Sequence, residues 1–313
     1  MVLPELKIGN LIAKIPIMQG GMAVRISTAP LAAAVANEGG IGLIAGTGMS
    51  IEELRSEIRQ ARELSKGIIG VNIMFAAKEF ANLVKTSIEE GIDLVVSGAG
   101  FSRDIFTWGK ESGTPIVPIV STARLAKMAE KMGAAAVVVE GKEAGGHLGT
   151  DESVRKILPE VKAAVNIPVI AAGGIVDGAD IVEIMKLGAD GVQMGTRFAA
   201  SVESNASDEF KQLYVQAGPE DVVLVNSPVG LTGRGLRNAF YNKIENANLP
   251  PEKCEGCLKH CSRSFCILGA LKFAQTGDME KGLVFSGEFI HKIKEVLTVK
   301  EIFQQLLAEV AKA

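Results

Sequence analysis

One histidine of the chain lies in a glycine-rich segment with few other polar side chains. His147 is one of three histidines, and the segment reads Glu143-Ala144-Gly145-Gly146-His147. Glycine lets the backbone approach a flat ligand closely, and histidine is the side chain whose pKa lies nearest to neutral pH. The pattern predicts a functional His147 that is suited to acid–base chemistry. A solvated histidine without a role is the alternative.

Two further glycine segments predict a phosphate site. Gly173-Gly174 and Gly195-Thr196 each directly follow a short aliphatic run. Glycines at such places let backbone N–H groups approach an anion, and the start of a following helix adds its dipole. Ordinary tight turns are the alternative interpretation.

The four cysteines form a separate candidate site with the spacing C-x2-C-x3-C-x4-C. Four thiolates from one short stretch suit a [4Fe–4S] cluster or a structural zinc ion. Zinc sites more often come as two separated pairs, which favours iron–sulfur, and His260 could replace one cysteine in either site. Reduced thiols without a metal are the alternative. The predicted ligands are Cys254, Cys257, Cys261 and Cys266.

Eight short aliphatic runs must position these residues. The runs recur at intervals of roughly 25 residues, the rhythm of β/α units. Each is rich in Val and Ile and ends in glycine or a polar residue, as strands buried on both faces do. Between them lie amphipathic segments, one of which opens with the capping-box residues Ser50 and Glu53. The predicted strands are residues 15–18, 41–45, 70–74, 94–97, 115–119, 136–140, 168–171 and 192–194.

Eight such units in series predict an α/β protein with a closed (β/α)8 TIM barrel over residues 1–204. A doubly wound open sheet is the structural alternative, but no G-x-G-x-x-G or P-loop motif occurs. Residues 205–313 lose the rhythm and predict a C-terminal helical cap and lid packed on the barrel, with the cysteine cluster at 254–266. Its predicted helices cover about 208–216, 266–275, 287–293 and 299–311, with a loop at 226–238.

Composition narrows the function classes. The hydrophobic fraction is 47%, the net charge is −3 and charges of both signs are interspersed, so the sequence gives no indication of nucleic-acid binding. No apolar run approaches the ~18 residues of a membrane span, and the first residues do not read as a signal peptide. We therefore expect a cytoplasmic enzyme with a small-molecule substrate, no nucleic acid and no membrane. The sequence leaves the oligomeric state open, a homodimer included.

Five motifs together resemble one family, the 2-nitropropane dioxygenase-like flavoproteins. This family includes nitronate monooxygenases and FMN-dependent enoyl-acyl-carrier-protein reductases. The resemblance covers roughly residues 10–240 and implies an FMN-binding barrel. The motifs occupy residues 15–22, 71–74, 143–147, 171–175 and 191–198.

The resemblance also assigns roles to individual residues. It implies that His147 lies close to the flavin ring and that Gly173, Gly174, Gly195 and Thr196 hold the FMN phosphate. The remaining flavin contacts that it implies are made by Gly21, Met22, Asn72, Glu140, Gly145, Gln193 and Met194.

Three activities are compatible with this resemblance. The first hypothesis is nitronate oxidation, with a small anionic substrate and His147 as base or orienting group. The second is an NAD(P)H-dependent enoyl-acyl-carrier-protein reductase, which would have acyl carrier protein as a partner. The third is a flavin or iron–sulfur electron-transfer or sensor protein without turnover. The best-known family members lack the cysteine cluster. The resemblance therefore does not decide which of these reactions the protein catalyses.

The segment 227–238 also resembles this family and is a candidate lid. Its arginines, Arg234 and Arg237, could meet a substrate carboxylate or phosphate. A crossing loop whose arginines pair with surface acids is an equally good interpretation.

Overall fold

A closed barrel of eight parallel strands organises the computed structural model, which describes residues 1–313. The predicted TIM barrel is confirmed. The strands are β1 (Leu6–Ile8), β2 (Leu11–Ala13), β3 (Ile17–Gln19), β4 (Ile41–Ala45), β5 (Ile68–Met74), β6 (Leu94–Gly98), β7 (Ile116–Val120), β8 (Val137–Glu140), β9 (Gly146–His147), β10 (Val169–Ala172), β11 (Gly191–Met194), β12 (Val222–Asn226) and β13 (Thr232–Leu236). In the barrel, β3, β4, β5, β6, β7, β8, β10 and β11 pair in that order, and β11 closes on β3.

Helices surround the barrel and build the C-terminal region. Short 3-10 helices cover Pro219–Asp221 and Ile290–Lys292. No helix is both long enough and apolar enough to span a membrane. The α-helices are α1 (Ala29–Asn37), α2 (Ile51–Leu64), α3 (Phe80–Glu89), α4 (Arg103–Ser112), α5 (Ala123–Met132), α6 (Val154–Lys162), α7 (Gly178–Lys186), α8 (Thr196–Ala199), α9 (Asp208–Gln216), α10 (Ala239–Asn246), α11 (Ile267–Gln275) and α12 (Val299–Lys312).

All eight predicted runs are barrel strands, with ends that differ by no more than two residues. They are recognisable because a strand covered on both faces is apolar throughout, and β4 is buried at every position. The predicted capping box is also present: the Ser50 side chain accepts from the backbone N–H of Glu53 at the start of α2.

An N-terminal hairpin closes the amino end of the barrel. Strands β1 and β2 pair antiparallel, and Leu6 and Ile8 are buried in the same apolar cluster as the inward-facing Met18 and Val138. Leu6 lies against Gly191, the first residue of β11. Strands of three residues give too little periodicity to be predicted from sequence. Since this end is filled, a ligand cavity has room only at the carboxyl end.

The last helix belongs to the ring around the barrel. Helix α8, which follows β11, has only four residues, and α12 packs instead against both α7 and α1. Phe303 of α12 contacts Phe198, with ring centroids 5.8 Å apart. The segment 205–313 therefore includes one helix of the barrel itself, and we use the name cap for residues 205–298 alone.

The cap is less helical than predicted. The predicted loop at 226–238 is wrong in its second half, because β13 lies there between β12 and β9 in an antiparallel sheet. Two glycines in the five residues of β13 conceal the strand, which is held by backbone pairing on both sides. The predicted helix at 287–293 is only a 3-10 turn, and α10 was not predicted.

Candidate active site

A cavity of about 250 Å³ lies at the carboxyl end of the barrel. Every barrel strand contributes to its wall, either with its last residues or with the loop that follows, as is usual for catalytic barrels. The cap forms the remaining wall with apolar and aromatic side chains. The cap residues that line it are Tyr214, Ile267, Leu268, Leu271, Phe285, Ser286, Gly287, Phe289 and Ile290.

The cavity brings together His147 and all but one of the residues predicted to contact FMN. Met194 is the exception. Side chains alternate along a strand, so Gln193 faces the cavity while Met194, which is 1% exposed, packs among the surrounding helices. The predicted residues that line the cavity are Gly21, Met22, Asn72, Glu140, Gly145, His147, Gly173, Gly174, Gln193, Gly195 and Thr196.

Two amide oxygens in the wall have no partner within the protein. Asn72 Oδ1 and Gln193 Oε1 are buried and unpaired, although Asn72 Nδ2 donates to the carbonyl of Gly21 at 3.1 Å. Buried polar atoms nearly always have a hydrogen-bond partner. Both oxygens therefore indicate a ligand that carries N–H or O–H donors.

Backbone N–H groups form an anion-binding corner of the cavity. Gly173 (φ +102°) and Gly174 (φ +66°) adopt left-handed conformations that favour glycine. The N–H groups of Gly174, Gly195 and Thr196 donate to no acceptor within the protein. The Thr196 side chain accepts from the N–H of Gly287 at 3.0 Å, which ties the corner to the cap. Convergent free N–H groups of this kind suit a phosphate.

The loop between β8 and β9 is fixed by Glu143. This buried carboxylate accepts from the N–H of Val154 at 3.0 Å and from the hydroxyl of Ser153, and so caps the start of α6. Gly145 packs so closely on the backbone of Ser286 that an added Cβ would lie 2.6 Å from its carbonyl carbon. Glu143 therefore positions the loop and is not available for acid–base chemistry.

His147 is held between the barrel loop and the cap. As part of β9 it pairs with Gly233 of β13, and its Nε2 lies 2.7 Å from the hydroxyl of Ser227. The ring of Phe285 packs edge-on against it, with centroids 5.2 Å apart. Burial lowers the pKa of His147 to about 4, so the ring is neutral at pH 7.

The cavity contains no cationic side chain, and its only anion-binding feature is the N–H corner. Burial raises the pKa of Glu140, the last residue of β8, to about 8, so its carboxyl is mostly protonated at neutral pH. No lysine or arginine lines the cavity. The two arginines of the candidate lid do not line the cavity: Arg234 donates to the carbonyl of Lys142 and lies 3.5 Å from Glu288, and Arg237 lies 3.8 Å from Glu245. These contacts support the alternative in which the arginines pair with acidic residues and do not meet the substrate.

Glu140 should make the free protein less stable as pH rises. Its pKa is raised in the folded state, so the unfolded chain loses this proton first and stability falls between about pH 4.5 and pH 8. We expect the melting temperature of ligand-free Glu140→Gln to decline less over this range than that of the wild type. Calorimetry at fixed ionic strength measures the difference, and parallel curves would contradict the prediction.

The cysteines are not arranged as metal ligands. Cys254, Cys261 and Cys266 are exposed and Cys257 is half-buried, and no three His, Cys, Asp or Glu side chains converge as a metal site requires. The predicted iron–sulfur or zinc site is therefore not confirmed. Cys266 instead caps α11, because its sulfur accepts from the N–H of Gly269 at 3.4 Å.

The sequence did not identify the cap residues of the wall. Tyr214, for example, is buried and donates its hydroxyl to the carbonyl of Phe285, which anchors the aromatic wall. The apolar spacing of Ile267, Leu268 and Leu271 was a usable signal for a buried helix face. That face could not be assigned to the cavity, since the cap lacks the barrel rhythm that locates a residue.

In sequence the chain is similar to a dehydrogenase and to a probable nitronate monooxygenase. A dehydrogenase from Mycobacterium tuberculosis, (3aS,4S,5R,7aS)-5-hydroxy-7a-methyl-1-oxo-octahydro-1H-indene-4-carboxyl-CoA dehydrogenase, is 34% identical over 236 residues, 74% of this chain and 66% of the relative. The chain thus spans slightly less than two thirds of that relative. A probable nitronate monooxygenase from Staphylococcus saprophyticus is 33% identical over 284 residues, 75% of this chain and 79% of the relative.

Solved structures agree with these matches. FabK from Thermotoga maritima superposes with a TM-score of 0.87 at 38% identity, covering 95% of this chain and 93% of that one. Nitroalkane oxidase from Streptomyces ansochromogenes has a TM-score of 0.81 at 24% identity, covering 95% and 96%, and supports the fold alone. The sequence model described as nitronate monooxygenase matches residues 5–309. The chain therefore belongs to the nitronate monooxygenase family of oxidoreductases.

Proposed function

We propose that the protein is an FMN-dependent oxidoreductase that reduces the double bond of an enoyl thioester, with NAD(P)H as the reductant. The observation that carries this choice is that no lysine or arginine lies in the cavity wall. Transfer of a small anion from water into such a site costs several kcal/mol unless it is paired. A thioester is uncharged and has an apolar tail, which suits a wall of Ile267, Leu271 and Phe285.

The free polar groups of the cavity fit FMN. The N–H groups of Gly174, Gly195 and Thr196 would hold its phosphate, and the oxygens of Asn72 and Gln193 would accept from its N–H or O–H groups. When bound, the flavin supplies hydride transfer between the nicotinamide and the substrate. Similarity to FabK over 95% of the chain supports a reductase of this type.

His147 orients and polarises the thioester in this proposal. In the tautomer in which Ser227 donates to Nε2, the neutral ring carries its proton on Nδ1. An N–H donated to the thioester carbonyl draws electrons from the double bond, so that hydride adds at its far carbon and water supplies the proton to the carbon beside the carbonyl. A ring with a pKa of about 4 is a weak base, so we assign orientation rather than proton abstraction to His147.

Nitronate oxidation is the second candidate. Membership of the family and the 33% identity to a probable nitronate monooxygenase support it. In this reaction His147 would orient the nitronate, whose charge would have to be stabilised by N–H donors alone.

An anaerobic experiment separates the candidates. The holoenzyme is mixed with NADH or NADPH while flavin absorbance is followed, and crotonyl thioester is then added. We expect the flavin to be reduced and then reoxidised by the thioester. Oxidation of a nitronate in air without NAD(P)H, together with no thioester turnover, would contradict the reductase. Reduction without turnover of either substrate would indicate an electron-transfer or sensor role.

A further inference from the structure

A row of basic side chains lies on one face of α5, beside the start of α4. Arg124, Lys127 and Lys131 recur at helical spacing on α5, and Arg103 at the start of α4 lines the same groove. All four are exposed, and the groove contains no acidic residue. We call these four residues the basic face.

The basic face differs from two other places where neighbouring helices of the barrel meet. Between α2 and α3, Arg55 and Arg59 both pair with Glu90, and between α6 and α7, Arg155 pairs with Glu183. None of the four cations of the basic face forms an ion pair. In a chain of net charge −3, this concentration of unpaired positive charge is available to an acidic partner.

The basic face begins at the rim of the active-site cavity. Helix α4 follows β6, whose last residue Gly98 lines the cavity, and α5 follows β7, whose Ile119 lines it too. The helix starts at Arg103 and Arg124 therefore lie at the carboxyl end of the barrel, where the cavity lies. A macromolecule bound to the basic face would be placed beside the cavity.

The dimensions indicate a protein surface rather than a single phosphate. From Arg124 to Lys131 the row extends about 10 Å along the helix axis, at 1.5 Å per residue. Met128 is 40% exposed between these cations, and methionine is enriched where proteins meet. A short row of acidic side chains on a helix would match both the length and the charge.

We infer that the basic face is the docking site of an acidic carrier protein that delivers the thioester substrate on a flexible arm. This inference rests on the proposed reduction of an enoyl thioester. Carrier docking on the rim would raise the local concentration of the thioester at the cavity. Charged groups at such a rim mainly change how fast the carrier protein associates and have little effect on the chemical step. They should therefore affect KM and leave kcat nearly unchanged.

Charge reversal tests the inference. The variant Lys127→Glu/Lys131→Glu is compared with the control Lys66→Glu/Lys186→Glu, which changes the net charge by the same amount at exposed lysines. Lys66 lies just beyond the end of α2, and Lys186 is the last residue of α7. Steady-state rates are measured with NAD(P)H and three crotonyl thioesters: acyl carrier protein, coenzyme A and the uncharged N-acetylcysteamine. Melting temperature and bound FMN are checked for each variant.

We expect KM for the carrier-bound thioester to rise about tenfold in the basic-face variant at low ionic strength, and less at high salt. The control variant and the N-acetylcysteamine thioester should keep wild-type values. An unchanged KM for the carrier thioester, or an equal rise in the control, would overturn the docking site. A rise limited to the coenzyme A thioester would assign the groove to its phosphates and also overturn the inference.

Failure of the proposed function gives a different result. In that case the wild-type enzyme would turn over none of the three thioesters, the uncharged one included, and the docking inference would fall with it. Turnover of N-acetylcysteamine thioester with no effect of charge on the carrier substrate would overturn the docking site alone.

Discussion

Replacement of His147 by alanine is expected to lower kcat for thioester reduction by about 10²–10³-fold while FMN remains bound. The imidazole faces the cavity and is fixed by Ser227, Phe285 and the β9–β13 pairing. Its loss removes the oriented donor without touching the N–H corner formed around Gly174. Stopped-flow measurement should show normal flavin reduction by NAD(P)H and slow reoxidation by the thioester.

Ser227→Ala provides a graded comparison for this prediction. It leaves the imidazole in place but removes the hydroxyl 2.7 Å from Nε2, so the ring loses its fixed tautomer. We expect kcat to fall about tenfold, with Ser227→Thr closer to wild type, and the flavin spectrum to stay the same. Reoxidation by thioester at the wild-type rate in His147→Ala would remove this residue from catalysis.

Gly173→Ala is expected to weaken FMN binding by about 10–100-fold. At φ +102° an alanine is strained, and its Cβ would lie 3.0 Å from the backbone nitrogen of Ala144 and 3.2 Å from the carbonyl of Gly141. Backbone atoms cannot move aside as a side chain can, so the loop or the anion corner must shift. Flavin fluorescence titration of the ligand-free protein measures the dissociation constant.

Gly133→Ala is the matched control for the strain. Gly133 ends α5 at φ +100°, nearly the same conformation, but no atom lies within 4 Å of the position of its added Cβ. Both variants should lose similar stability from backbone strain, while only Gly173→Ala should release FMN. Equal flavin affinity in the two variants would show that the glycine segment after β10 does not hold the phosphate.

The barrel could be predicted because burial leaves a direct trace in the sequence. A strand such as β4 is apolar at each position and ends where polar residues or glycine begin, so its location needs no knowledge of distant contacts. Residues near or just after the ends of such strands, such as Asn72 in β5 and Gly195 after β11, lie at the carboxyl end of the barrel. The predicted part of the site consists of residues of this kind, and the family resemblance supplied their roles in FMN binding.

The part of the site that was not predicted depends on contacts between distant segments. Ser227 meets His147 only because β13 pairs with β9, and the glycines of β13 conceal that strand. Met194 was placed in the site by resemblance, whereas strand alternation directs its side chain outward. Four cysteines in a short stretch predicted a metal, but spacing along the chain does not determine whether the sulfurs converge.

The sheet of β9, β12 and β13 links the position of the cap to the alignment of His147. His147 belongs to the barrel loop, whereas Ser227 and β13 belong to the cap. If β12 and β13 move away from the barrel loop, this pairing breaks and the two side chains separate. The imidazole is therefore aligned only while the barrel loop and the cap form one continuous sheet.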